Sequence, residues 1–268
     1  MASPALQQIH APTFSISDSE DDQGGDTVER WNMRDVQMWI QLAPIPDTLI
    51  VPDSHTNSAE RFAFGLLSTG WASYADMGLL MDLLPSASRS RRSSVTDLTQ
   101  TGGKLFYCGA YRHGPMGGLM TNTMQYPNVS RLLASCIKGL SPAACFTSLA
   151  FHRNILTSPH IDNNEPGINN LIVPLSRWKG GQLWVANPHG RDYIRAATVP
   201  GNIIQVSPPM IAIDANKLHA TMPWEGGDRL ILIAYHVRQP VLSPRERCIL
   251  ANIGITPSSP SSHTVVID

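Results

Sequence analysis

The chain is short of charge. Only 15% of its 268 residues are Asp, Glu, Lys or Arg, and their signs nearly cancel to a formal net charge of −1. That excludes a protein that gathers polyanions through its overall field, so any nucleic-acid contact would need a local basic patch. Cysteine is scarce as well. Cys108, Cys136, Cys145 and Cys248 are widely spaced, with no Cys-x-x-Cys pair. Neither a disulfide framework nor a zinc site built on cysteines is expected, and a reduced intracellular protein fits the pattern. No apolar run approaches the ~20 residues of a membrane-spanning helix. The segment MASPALQQIHAPTFSISDSEDD has no basic stretch followed by an apolar core, so no secretory signal is read there. These absences predict a cytoplasmic or nuclear protein with no membrane partner.

Glycine and proline are plentiful, at 20 and 21 residues, which suits a turn-rich β architecture better than a helical bundle. The length allows one large β-rich domain with flanking helices, or two small domains. Residues 1–27 end in SDSEDDQGGD and carry too little apolar surface to offset the entropy of ordering. They are read as a disordered acidic tail, and residues 251–268, ending TPSSPSSHTVVID, as a second loose tail. The Ser/Arg segment SASRSRRSSV, from Ser86, could be a phosphorylatable switch, a nucleic-acid contact or a plain surface loop.

Asp26 is placed to cap a helix running to about Leu42, with Val28, Trp31, Val36 and Trp39 on its apolar side. A second helical region is expected between Ser58 and Leu84. A third starts at a cap on Asn128, carries Val129, Leu132, Leu133, Cys136 and Ile137 at helical spacing, and stops at Gly139. From Cys145 the texture changes to short β-like runs between turn residues: CFTSLAFH, NNLIVPL, GQLWVAN, NIIQV, MIAID and RLILIAYHV. Helices first and strands after point to an α+β fold with helices buttressing a closed or double-sheet core.

The most specific chemistry lies in a His-x-Asp pair, His160 and Asp162, with His219 far downstream and Arg229 ten residues beyond it. Residues two apart on an extended segment face one side, so His160 and Asp162 can reach a single ion. Two imidazoles and one carboxylate hold a metal by one face and leave the other open, an arrangement suited to non-haem Fe(II). Arg229 shares a strand face with Ile231, Ile233 and Tyr235, where a guanidinium is costly unless it meets a buried anion. Asn154 could contact a co-substrate or simply cap its loop, and Thr221 could do the same from the face of His219 or be an ordinary strand residue. Gly109–Pro127, with Arg112 and His113, could line an entrance. Trp184 and Trp224 read as packing residues, and His152, His189 and His236 as structural or surface ones.

The stretches FTSLAFHRNILTSPHIDNNEPG, KGGQLWV and LHATMPWEGGDRLILIAYH, between about Lys104 and Arg238, resemble the Fe(II)/2-oxoglutarate-dependent dioxygenases. The resemblance covers half of the chain. It implies a double-stranded β-helix (jelly-roll or cupin-like) core at about residues 104–238, within a dioxygenase domain spanning 28–250. It further implies His160, Asp162 and His219 as iron ligands and catalytic centre, and Arg229, with Asn154 and Thr221, as binders of 2-oxoglutarate. Dioxygen would be the oxidant and ascorbate the accompanying reductant. The wording PHIDNN, GGQLWV, HATMPW and GDR is similar to a divergent branch related to the TET/JBP nucleobase hydroxylases. That similarity implies hydroxylation of a nucleobase methyl group in DNA or RNA. The sparse basic charge, with Arg112, Arg153, Lys179 and Arg89–Arg92 the evident cations for a backbone, leaves protein side chains and small molecules as alternative substrates. A catalytically silent cupin-like binding module is the remaining alternative.

Overall fold

Residue Leu230 begins the strand around which the fold is arranged. Its run LILIAY has no charge and turns alternate side chains to opposite faces, so both faces must be covered by apolar neighbours. In the computed structural model, which describes residues 38–44, 49–85 and 103–256, two cores do this. Leu230, Leu232 and Ala234 belong to a large core shared with helices, while Ile231 belongs to a second core with Ile172, Leu183, Val185, Val206 and Ile213.

The strands are β1 (Trp39–Gln41), β2 (Trp71–Ser73), β3 (Lys104–His113), β4 (Met116–Leu119), β5 (Ser148–Arg153), β6 (Asn170–Pro174), β7 (Lys179–Gly180), β8 (Leu183–Ala186), β9 (Gly201–Ile204), β10 (Ile211–Ile213), β11 (His219–Thr221), β12 (Trp224–Glu225) and β13 (Leu230–Tyr235). The helices are α1 (Ser58–Thr69), α2 (Tyr74–Leu83), α3 (Thr121–Gln125), α4 (Pro127–Leu140) and α5 (Pro244–Asn252). A six-stranded sheet has the order β10-β6-β13-β5-β3-β4, and a three-stranded sheet the order β11-β8-β9. Every pairing is antiparallel. The chain is thus α+β with antiparallel sheets. Helices back one face of the larger sheet, and the second core fills the space between its other face and the smaller sheet.

The β runs expected after Cys145 all form strands, because their alternation matches what a two-faced sheet demands. The helical expectations need correction. Trp39–Gln41, expected at the end of a helix, is a strand paired with β2 and buries only Ile40. Its two-residue alternation prevails over the helical spacing once β2 is available. The start of that expected helix lies outside the described residues, as do the acidic tail 1–27 and the Ser/Arg segment. The region from Ser58 to Leu84 is two helices interrupted by β2. α1 is capped by Asn57, whose side chain accepts from Glu60 N at 2.9 Å, and α2 opens on a Ser73–Asp76 capping box.

α4 begins at Pro127 rather than at a cap on Asn128. Its leading N–H groups are satisfied from another helix, for Glu60 Oε2 accepts Asn128 N at 2.9 Å and Oε1 accepts Val129 N at 2.8 Å. Gly139 does not stop α4, which continues to Leu140. A side chain there would come within 2.0 Å of the Gln41 carbonyl oxygen, so glycine serves close packing against β1. The tail expected from residue 251 starts on packed chain: α5 runs to Asn252, and Ile253 and Ile255 are buried in the large core. Among the described residues, no helix is long and apolar enough to cross a membrane.

Candidate active site

After β5 the chain turns back along the segment leading into β11. His160 N donates to His219 O at 3.0 Å and His219 N to His160 O at 2.9 Å. Two reciprocal bonds define a hydrogen-bonded antiparallel pair, whose side chains leave on the same side. The imidazoles therefore lie together, with ring centroids 4.2 Å apart. Asp162 N donates to Ala215 O at 2.9 Å, two residues off the register of the histidine pair, so the carboxylate is carried on a loop tied to the turn before β11. One ligand atom from each of His160, Asp162 and His219 lies within 4.8 Å of the others. Ile161, between the first two, points outward.

The ring orientations follow from backbone acceptors. His160 Nδ1 lies 2.8 Å from Ser158 O, and His219 Nδ1 lies 2.9 Å from Lys217 O. A carbonyl oxygen only accepts, so both Nδ1 atoms donate, and of the two neutral tautomers this is the one that leaves Nε2 a lone pair for a metal. His160 Nε2 faces Asp162 Oδ1 at 3.9 Å. A second contact fixing the ring of each ligand is the usual support of a metal site.

Arg229, just before β13, is 1% exposed. Its Nε donates to Gly181 O at 3.1 Å, and its guanidinium carbon lies 5.4 Å from the ring of Trp178 and 5.9 Å from that of Trp224. Gly181 is held at φ +64°, and a Cβ there would fall 2.5 Å from Trp178 Nε1 and 3.1 Å from Arg229 Cδ. The Gly-Gly-x-Leu turn thus makes room for the aromatic seat of the arginine. Burial lowers the guanidinium to about 10, so it remains charged at neutral pH. Its Nη2 has no hydrogen-bond partner among the described residues. Arg229, His160, Asp162 and His219 all line one cavity, walled on the sheet side by Ile172, Ile231 and Ile233.

Solved 2-oxoglutarate–Fe(II) oxygenases are similar to this chain. One from Burkholderia pseudomallei is 14% identical, with 74% of this chain and 100% of that one aligned at a TM-score of 0.37. NgTET1 in complex with 5mC DNA is 14% identical over 57% of this chain and 65% of its own, at a TM-score of 0.36. A Pseudomonas putida prolyl-4-hydroxylase is 13% identical over 76% and 94%, at 0.31. No protein-family model and no curated protein matches the chain. Likenesses at this level are slight, and the chemistry rests on the residues of the cleft.

Of the other residues singled out in the sequence, Thr221 lines the cavity, its hydroxyl 2.8 Å from that of Thr157. Asn154 does not line it. Held at φ 55°, Asn154 accepts from Arg229 N through Oδ1 at 2.8 Å and donates to Asp228 Oδ1 at 2.7 Å, so it braces the start of β13. Arg112 bonds to the carbonyls of Arg238 and Gln239. Arg153 pairs with Asp82, and Lys179 with Glu225 at 3.2 Å. These three cations therefore already have protein partners. Trp184 is core, whereas Trp224 serves the arginine seat.

His152 is a miss. It lines the cavity and meets Tyr107 edge-on at 5.3 Å. Its facing follows from pairing opposite Ile231, a register that spacing along the chain does not reveal. Thr157 and Trp178 carry no signal in the sequence for the same reason. Tyr235 is legible there, since alternation from Arg229 reaches it.

Proposed function

We propose that the chain is an Fe(II)- and 2-oxoglutarate-dependent dioxygenase that hydroxylates a C–H bond, with a nucleobase methyl group as its target. The observation that carries this reading is the buried, charged Arg229, whose Nη2 has no partner among the described residues, in the same cavity as His160, Asp162 and His219. A buried guanidinium without a carboxylate partner costs ~2–5 kcal/mol, a cost that an anionic ligand offsets.

The donor set fits the metal. Two imidazole Nε2 atoms and one carboxylate are a donor set that would suit Fe(II). Arg229 fits the far carboxylate of a dicarboxylic acid, with the Thr157–Thr221 hydroxyl pair as neighbouring polar groups. With dioxygen, these cofactors supply an oxidation that inserts one oxygen atom into a C–H bond and the other into succinate, with release of CO2. The isoleucine wall keeps bulk water from the reacting face. The two sheets enclosing this cavity are read as a double-stranded β-helix.

The test is succinate formation from 2-oxoglutarate with Fe(II) and ascorbate, compared with His160→Ala. Wild-type turnover that the variant lacks is expected, and wild-type protein that neither binds Fe(II) nor consumes 2-oxoglutarate would sink the reading in favour of a silent binding module. Mass spectrometry of nucleosides from treated DNA and RNA tests the target. Turnover of 2-oxoglutarate without hydroxymethylated bases would move the substrate to a protein side chain or a small molecule.

A further inference from the structure

We infer that Asn216 is a positioning residue of the metal centre, locking the Asp162 loop to the strand that presents His219; this rests on reading His160, Asp162 and His219 as metal ligands. His219 is fixed by β11 and its pairing with β8, where it lies opposite Val185. Asp162 belongs to no strand, and its neighbour Ile161 is 62% exposed. Something must hold its carboxylate in register with the two imidazoles.

Asn216 stands three residues before His219, next to Ala215, whose carbonyl accepts Asp162 N. With its amide nitrogen toward the loop, Asn216 donates to Asp162 O at 3.2 Å and to Asn164 O at 3.1 Å. The reverse orientation would set its oxygen against two carbonyl oxygens, so the acceptors dictate the orientation. Asp214 Oδ1 accepts from Asn216 N at 3.1 Å and shapes the turn from which the side chain projects. The lock continues inward. Asn164, 4% exposed, donates through Nδ2 to Asn170 Oδ1 at 2.9 Å, and Asn170 opens β6 on the cavity wall.

One primary amide thus supplies two N–H groups to two carbonyls of the loop that carries the carboxylate, that of Asp162 itself and that of Asn164. Aspartate in its place has no such donor and would repel both carbonyls, while serine could serve only one. Asn216 is only partly buried, so its loss disturbs the ligand loop more than the core.

The experiment is Co(II) binding to the full chain by calorimetry and by visible absorption, with thermal unfolding of the metal-free protein alongside. Removing a group that orients a metal ligand characteristically weakens affinity ~10–100-fold. Asn216→Ala is expected to fall in that range with an altered Co(II) spectrum, Asn216→Ser to lie between it and wild type, and Asn216→Asp to be at least as weak as alanine. Metal-free melting should change little. Wild-type affinity and spectrum in all three variants would overturn the inference and leave the proposed function standing. A weakening matched by loss of near-UV circular dichroism in every metal-free variant would overturn it too, showing a folding role. Wild-type protein that binds no Co(II) would overturn the metal reading and this inference together. Were the alanine variant alone to unfold, the serine variant carries the same comparison.

Discussion

In the helical layer Glu60 is 4% exposed, and both its carboxylate oxygens are engaged by the first turn of α4, with the positive charge of Arg131 acting on it. In the cleft Arg229 is 1% exposed, yet its Nη2 meets no acceptor among the described residues. Both charges are held by residues far away in the chain: 68 positions separate Glu60 from Asn128, and 48 separate Gly181 from Arg229. The difference lies in completion. Glu60 finds its hydrogen-bond partners within the fold, so its two oxygens serve to hold the start of α4. Arg229 is seated by aromatic rings and one carbonyl, and its Nη2 meets no acceptor among the described residues although the residue lines a cavity. Under the proposed function that opening takes an anion.

The largest test of that contrast removes the open charge. Arg229→Met should abolish measurable 2-oxoglutarate binding while leaving Co(II) binding intact. Stability should hold or rise, since replacing a buried unpaired charge by an apolar group relieves its desolvation. Arg229→Lys should raise the 2-oxoglutarate requirement by about tenfold or more, because a point charge replaces a planar fork. Equal loss of metal would make Arg229 a structural residue and dissolve the contrast.

Glu60→Ala should act in the opposite sense. Two orphaned N–H groups and the lost attraction to Arg131 are expected to cost ~2–4 kcal/mol in urea unfolding, with Co(II) and 2-oxoglutarate affinities unchanged. A cleft phenotype without destabilisation would break the comparison from its other side.

Smaller effects sharpen it. Trp224→Leu removes one of two rings from the arginine seat, and a lost cation–π contact of ~0.5–2 kcal/mol should weaken 2-oxoglutarate binding several-fold. Smallest is a pH effect. Burial pushes the Glu60 carboxyl up from 4.5, against the downward pull of the Val129 and Asn128 N–H groups and Arg131. A raised folded-state value means that protonation favours the fold. The associated stability is present below about 4.5 and declines as pH rises through the folded value. Urea midpoints of Glu60→Gln should be flatter across that window, and an identical pH dependence would remove Glu60 as its source.

Much of the site is legible in the sequence because its geometry is written in short-range spacing. The gap of two between His160 and Asp162 gives a shared facing, and Arg229 shares parity with Ile231, Ile233 and Tyr235 along one strand. Legibility fails where a partner arrives from elsewhere. Trp39 carries helical spacing but sits in a strand, because β2 supplies a hydrogen-bonding edge. Gly139 resembles a helix stop but accommodates Gln41. Asn154, open in the sequence between a co-substrate contact and a loop cap, accepts from Arg229 N, a partner that spacing along the chain does not reveal. Asn216 carries no local signal, because its two acceptors lie more than fifty positions upstream in sequence.

By itself, then, the sequence determined the β texture, the two faces of the Leu230–Tyr235 strand and the candidate ligands, all set by the alternation of an extended backbone. Tertiary structure alone decided that His160 pairs with His219, that tryptophans seat Arg229, and that among the described residues Glu60 is satisfied while Arg229 Nη2 is not. Satisfaction of a buried charge depends on which groups converge in space, and convergence is settled by sheet register and packing rather than by position along the chain.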